Sequence, residues 1–149
     1  MSGLMILADA QPLRGAFVLQ VWRAGALVQQ VAEPNMIVNG AKNQLARLVG
    51  GAGANRQITQ IGFGTGATAA SPNDVGLVGA FWKPVTSVSY PATGQVALAW
   101  GLSTAEANGL SITEFGLRCA DGTLFSRKVR APIVKADDLS LTGVWTILF

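Results

Sequence analysis

The second half of this chain is cut at regular intervals by turn formers, and that rhythm restricts it to a β architecture. Pro91-Ala-Thr-Gly94, Ala107-Asn-Gly109, Asp121-Gly122 and Asp137-Asp138 separate runs rich in branched and aromatic residues. Such residues supply a positive φ, a fixed φ or a local side-chain hydrogen bond, which a turn needs and a strand interior does not. The spacing predicts strands over Phe81–Tyr90 (started or interrupted at Pro84), Gln95–Leu102, Leu110–Cys119, Thr123–Val129 and Leu139–Phe149. In the last of these Leu139, Leu141, Trp145, Ile147 and Phe149 point one way, with Gly143 in register. Ser140, Thr142 and Thr146 point the other way. A period of two with one apolar side is the pattern of a sheet buried on one face.

The first half carries a hairpin and a helix. Ala16–Trp22 and Ala26–Val31 flank Arg23-Ala-Gly25, with Gly25 free to take the positive φ of a tight turn. From Val38 to Val49 the apolar positions Ala41, Leu45 and Leu48 fall at helical spacing, and Ile37 and Val49 extend the stripe. Asn39 is a candidate N-cap and Gly50-Gly51 a stop. A helix with one apolar stripe must lie on a sheet or on a neighbouring subunit. A short strand over Gln57–Phe63 follows. The expected fold is mainly β: an antiparallel β-sandwich of about seven strands with one short helix inserted. Residues 1–13, with the apolar run Leu4–Ala8 closed by Pro12, form an N-terminal arm, and residues 14–149 one domain.

The residues that are missing remove most chemistry. There is no histidine, so no Ser-His-Asp triad, Cys-His pair or imidazole metal ligand can form. A single cysteine, Cys119, excludes an internal disulfide and a Cys-rich zinc site, and it is expected to be an inert buried thiol. Gly62-Phe-Gly-Thr-Gly66 follows a strand, where a phosphate loop would lie, but Pro72 arrives too soon for a helix to follow. A tight corner or bulge is the better reading. Glu114 lies inside a strand with no second acid on its segment, so a glycosidase pair is not indicated. A buried carboxylate satisfied by backbone N–H groups or an arginine is. The remaining acids form no calcium loop. Trp100 and Trp145 fall mid-strand and belong in the core. No catalytic, cofactor or metal residue is assigned, and the chain is expected not to be an enzyme.

Only 13% of the residues are charged while 50% are hydrophobic, more apolar surface than one core of this size absorbs, which points to an assembling protein. The candidate interface residues are Leu4, Ile6 and Leu7 of the arm, and Phe81 with Trp82 beside Lys83-Pro84. The net charge of +3 comes from scattered cations, which does not call for nucleic acid. The longest apolar stretch, Val75–Trp82, is far short of the ~20 residues a membrane span needs. The N-terminus lacks the basic region of a signal peptide, so synthesis and retention in a cytoplasm are expected.

Two stretches resemble virion proteins of tailed bacteriophages. One is Asn39-Gly-Ala-Lys-Asn-Gln-Leu-Ala-Arg-Leu48, then Ile58-Thr-Gln-Ile-Gly-Phe-Gly-Thr-Gly66 and Ser71-Pro-Asn-Asp74. The other is Ile112-Thr-Glu-Phe-Gly-Leu117, Asp121-Gly-Thr-Leu-Phe125, Pro132-Ile-Val-Lys135 and a terminal hydrophobic strand. Their order is similar to that of the collar-side, N-terminal domains of phage tail-fibre proteins. The resemblance implies a β-rich, oligomeric (possibly trimeric), non-enzymatic component of the tail that joins fibres to the baseplate. Its partners would be copies of itself and other virion proteins. The chain ends at Phe149, directly after the final strand, so an adaptor or network protein is expected rather than a receptor-binding fibre. A capsid decoration protein and a carbohydrate-binding module using Trp82 or Tyr90 are the rival expectations.

Overall fold

The computed structural model describes residues 13–149. Its strands are β1 (Arg14–Arg23), β2 (Ala26–Ile37), β3 (Ile58–Gly64), β4 (Phe81–Pro84), β5 (Ser87–Ser89), β6 (Gln95–Leu102), β7 (Ser111–Cys119), β8 (Leu124–Val134) and β9 (Leu139–Leu148), with one helix, α1 (Asn39–Val49). All nine strands belong to one sheet in the order β4-β3-β7-β8-β2-β1-β9-β6-β5, and every pairing is antiparallel. The outermost strands β4 and β5 are separated in sequence by Val85 and Thr86 alone, so the sheet curls until its two edges come together. Across that junction Val85 N–H donates to Thr59 O on one side and Thr86 N–H to Ala99 O on the other.

The fold is mainly β as expected, but it is a single curled sheet, a half-barrel, and the described residues form nine strands rather than about seven. Two local features account for the difference. The run Phe81–Tyr90 breaks after Pro84, whose ring cannot continue the ladder, and its halves join opposite edges. β2 is twelve residues long. It pairs with β1 along most of its length and reaches β8 only at Met36 and Ile37, so one strand carries the sheet from one half to the other.

The concave side is filled by aromatic rings from both halves. Phe17 of β1 lies 5.0 Å from Trp145 of β9 and 5.0 Å from Phe115 of β7, and Phe63 of β3 lies 5.6 Å from Trp100 of β6. These are edge and tilted geometries at the separations aromatic pairs favour. Trp100 and Trp145 are core residues, as the alternation indicated. Gly143 is required here: a Cβ would collide with the Trp100 indole and with the Val18 carbonyl. Phe149 departs from the pattern and is 58% exposed, one residue beyond the end of β9.

The hairpin turn is Ala24-Gly25, with φ of +48° and +81°, a pair of left-handed residues whose twist matches the strands they join. Helix α1 is where the apolar spacing places it, with two corrections. Its N-cap is Val38, which makes no side-chain cap, while Asn39 instead donates from Nδ2 to Asn73 Oδ1. The buried residues of α1 are Ala41 and Gln44, whereas Leu48 is exposed. Gln44 is tolerated inside because both ends of its amide are used: Nε2 donates to Asp121 Oδ1 and Oε1 accepts from Arg56. Strand β8 runs on past Pro132 because the ladder to β7 is irregular between Ile112 and Glu114, which leaves Pro132 without a partner to donate to.

Candidate functional site

The two halves of the sheet treat their outer faces differently. On the β3-β7-β8 half the outward residues include Glu114 and Arg127, and the segment 65–80 lies over them. Glu114 Oε2 accepts from the N–H groups of Gly66 and Val78, each at 2.7 Å, and Oε1 accepts from Arg127 Nε at 2.8 Å. Arg127 also donates to Asp74 Oδ2 at 2.9 Å and to the Thr68 carbonyl at 3.1 Å. The side chains of Glu114 and Arg127 are 1% and 4% exposed. Burial works against the guanidinium charge, but the bonds to Glu114 and Asp74 outweigh it and raise the Arg127 pKa. The carboxylate inside this strand is therefore a clasp that ties the segment 65–80 down, in the satisfied state that its strand position indicated.

The clasp also explains the glycine-rich stretch. A Cβ on Gly64 or Gly66 would lie 2.5 or 2.6 Å from Glu114 Oε2, so glycine lets the backbone approach the carboxylate. Gly62 has the same relation to Trp82, with a Cβ position 2.5 Å from the indole. Spacing alone marked 62–66 as a tight corner or bulge, whereas Gly62–Gly64 continue β3 in regular register and the chain leaves the sheet only at Thr65. The partner that makes the glycines necessary lies some fifty residues away in sequence, and no local signal carries it.

The outer face of the other half, β2-β1-β9-β6-β5, has no covering segment among the described residues. Register fixes its membership. Phe17, Leu19 and Val21 point inward, so Ala16, Val18, Gln20 and Trp22 point outward, and their ladder partners on β2 and β9 do the same. Pro34, Ala32 and Gln30 therefore flank them on one side, with Thr146, Val144, Thr142 and Ser140 on the other. β6 adds Ala97, Ala99 and Gly101, and β5 adds Ser87 and Ser89. Arg14, at the end of its strand, is the one charged residue at these ladder positions. Its polar members satisfy each other: Trp22 Nε1 donates to Thr142 Oγ1, which donates to Gln20 Oε1.

The sequence-derived interface residues divide. Leu4, Ile6 and Leu7 lie outside the described residues. Phe81 and Trp82 lie on the edge strand β4, where Phe81 packs against the core and Trp82 meets the Arg118 guanidinium 4.1 Å from its ring centre. Both are half-buried, and neither belongs to the uncharged face. That face escaped sequence reasoning because its residues are individually ordinary, and only the strand order brings them together.

Chemistry is not concentrated anywhere among the described residues. No group of three or more Cys, Asp or Glu is placed to hold a metal ion there. Cys119 is buried, and burial pushes its thiol up to about 11. Lys135 is buried too, its pKa lowered by that burial, with Nζ donating to Asn108 Oδ1 and the Ala136 carbonyl. An open cleft of about 560 Å³ lies beside α1, with Leu45, Leu48, Val88, Tyr90, Leu98 and Phe149 among its lining residues. No helix among the described residues is long and apolar enough to cross a membrane. No family model, curated protein or solved structure matches this chain.

Proposed function

We propose that this chain is a structural component of a tailed-phage virion, an adaptor at the baseplate or fibre-attachment end of the tail, made in the host cytoplasm and acting by assembly rather than catalysis. One observation carries the assembly part: the outer face of β2-β1-β9-β6-β5 bears no charge at its ladder positions beyond Arg14 at a strand end and no other described residue covers it, while the opposite outer face is covered by the chain's own segment 65–80. A folded chain that shields one sheet face and leaves the other free of charge has a surface suited to lasting contact, since permanent interfaces are poor in charge. In this reading the two halves of the curled sheet serve as the layers of a β-sandwich, and the uncharged layer packs on neighbours. The virion assignment rests on the motif order of residues 39–74 and 112–149.

Immunogold electron microscopy of purified particles, with antibody raised against the recombinant protein, tests this reading. Gold at the tail tip is the expected result. Gold spread over the head would make the chain a capsid decoration protein, and unlabelled particles would overturn the virion reading. A glycan-binding role has one feature in its favour, the 77% exposed Tyr90 at the cleft beside α1. Binding to a glycan array that is lost in Tyr90→Ala, with no particle labelling, would support that role instead.

A further inference from the structure

The cleft beside α1 is a mouth into the core. Of its lining residues, Leu98 belongs to the core, and Leu45, Ile58 and Val96 pack against it. Leu48 lies on the apolar stripe of α1, Val88 is paired with Leu98 on the inward side of β5, and Phe149 continues the inward side of β9. All three are exposed, because they face the cleft and no described residue fills it. The volume of about 560 Å³ falls within the range of about 300–1,000 Å³ that takes a compact, mostly apolar ligand.

The described chain enters at the rim of this mouth. Arg14 opens β1 opposite Leu148, Leu148 is in turn opposite Gln95, and Phe149 N–H donates to Gly94 O. Gly94, Gln95 and Phe149 all line the cleft, so its near wall is two strand spacings, about 10 Å, from the start of β1. Leu13 shares the inward side of β1 with Gly15 and Phe17 and packs against the core. Immediately before it, Pro12 has no N–H with which to carry the ladder on.

We propose that the mouth is filled by the chain's own run Leu4–Ala8, which lies outside the described residues, with the side chains of Leu4, Ile6 and Leu7 in the cleft. Place, length and charge select this occupant. Ala8 stands five residues before Leu13, and five extended residues reach about 17 Å, enough to turn back over the rim. The run Leu-Met-Ile-Leu-Ala is uncharged, and the one charged residue among the described lining is Arg56. The one charged side chain in residues 1–12, Asp9, is opposite in sign to it. A segment tethered this close is presented at an effective concentration of about millimolar, so it holds the cleft against any outside ligand of weaker affinity. The contact lies within one chain and stands or falls separately from the assembly reading above.

The test is methyl NMR on the full chain over a dilution series. Nuclear Overhauser contacts from the methyl groups of Leu4, Ile6 and Leu7 to those of Leu48, Val88 and Val96 are expected, and they should persist on dilution. The double variant Ile6→Asp with Leu7→Asp is expected to lose them while keeping the wild-type circular dichroism spectrum, because both substitutions precede β1. With its cleft emptied, that variant should bind the apolar probe anilinonaphthalene sulfonate at least tenfold more tightly than the wild type does, about 1.4 kcal/mol. Contacts that fade on dilution and arise between differently labelled copies in a mixed sample would overturn docking within one chain in favour of exchange between copies. Methyl groups of Leu4, Ile6 and Leu7 without contacts to the cleft, or a double variant that binds the probe no better than the wild type, would overturn the proposal and leave the cleft to an outside ligand.

Discussion

Replacing Glu114 by alanine tests whether the clasp under segment 65–80 contributes to stability as its geometry implies. The substitution takes away the acceptor of two backbone N–H groups, those of Gly66 and Val78, and the closest partner of a guanidinium that is almost fully buried. Removing one member of a buried ion pair costs about 3–5 kcal/mol, because the remaining charge stays desolvated without compensation. Each orphaned N–H adds about 1–3 kcal/mol when no water reaches it. These costs overlap, because Asp74 and the Thr68 carbonyl still hold Arg127. The expected loss is about 4 kcal/mol, from the middle of the ion-pair range. At roughly 3 °C per kcal/mol for a chain of this size, the melting midpoint falls by about 12 °C. Urea unfolding followed by the fluorescence of buried Trp100 and Trp145 measures the loss directly. A double variant, Glu114→Leu with Arg127→Met, removes both charges and is expected to recover part of the loss, though not the part owed to the two amides. The reasoning fails if Glu114→Ala loses less than about 1 kcal/mol, or if Gly66 and Val78 keep their exchange protection in the variant.

Three further outcomes are expected. Gly66→Ala places a Cβ 2.6 Å from Glu114 Oε2 and displaces the carboxylate, so its loss of about 1–3 kcal/mol in urea unfolding should shrink when Glu114 is already alanine. Gly143→Ala drives a methyl group into the Trp100 indole and the Val18 carbonyl, and is expected to lower the yield of folded protein or to red-shift its tryptophan emission. The Cys119 thiol, held by burial at about 11 against an ordinary value of 9.0, keeps its proton in the folded chain after the unfolded chain has lost it. The folded state then binds more protons between those values, so stability falls as pH rises from about 9 to about 11. Cys119→Ala should flatten that limb of the stability curve, and thiol labelling of the wild type at pH 8 should require unfolding.

The local elements were legible because each is specified by residues close in sequence. Ala24-Gly25 sets the first hairpin, the alternation from Leu139 to Ile147 sets the buried face of β9, and Ala41 to Leu48 sets the helix. Glu114 was legible as a buried acid because its strand leaves it no solvent, yet its partners Gly66, Val78 and Arg127 come from other elements and could not be paired by spacing. The strand count was misjudged where a break after Pro84 sends two halves of one apolar run to opposite edges, a choice made by the curl of the sheet. The uncharged face was illegible for the same reason: Val18, Ala32, Val144 and Ala99 become neighbours only through the order β2-β1-β9-β6. Strand order is a property of long-range pairing, and one-residue alternation does not encode it.

The central claim is that the outer face of β2-β1-β9-β6-β5, which no segment among the described residues covers, is an assembly surface, and placing a charge at its middle tests that most directly. Val144 is 38% exposed at the centre of this face, so Val144→Lys adds a solvated cation without emptying the core. Sedimentation velocity over a concentration series, run on wild type and Val144→Lys, is the deciding measurement. The account expects a wild type that associates as concentration rises and a folded variant that associates at least tenfold more weakly, about 1.4 kcal/mol. A wild type that stays monomeric throughout, or a variant that associates as well as the wild type, would contradict it.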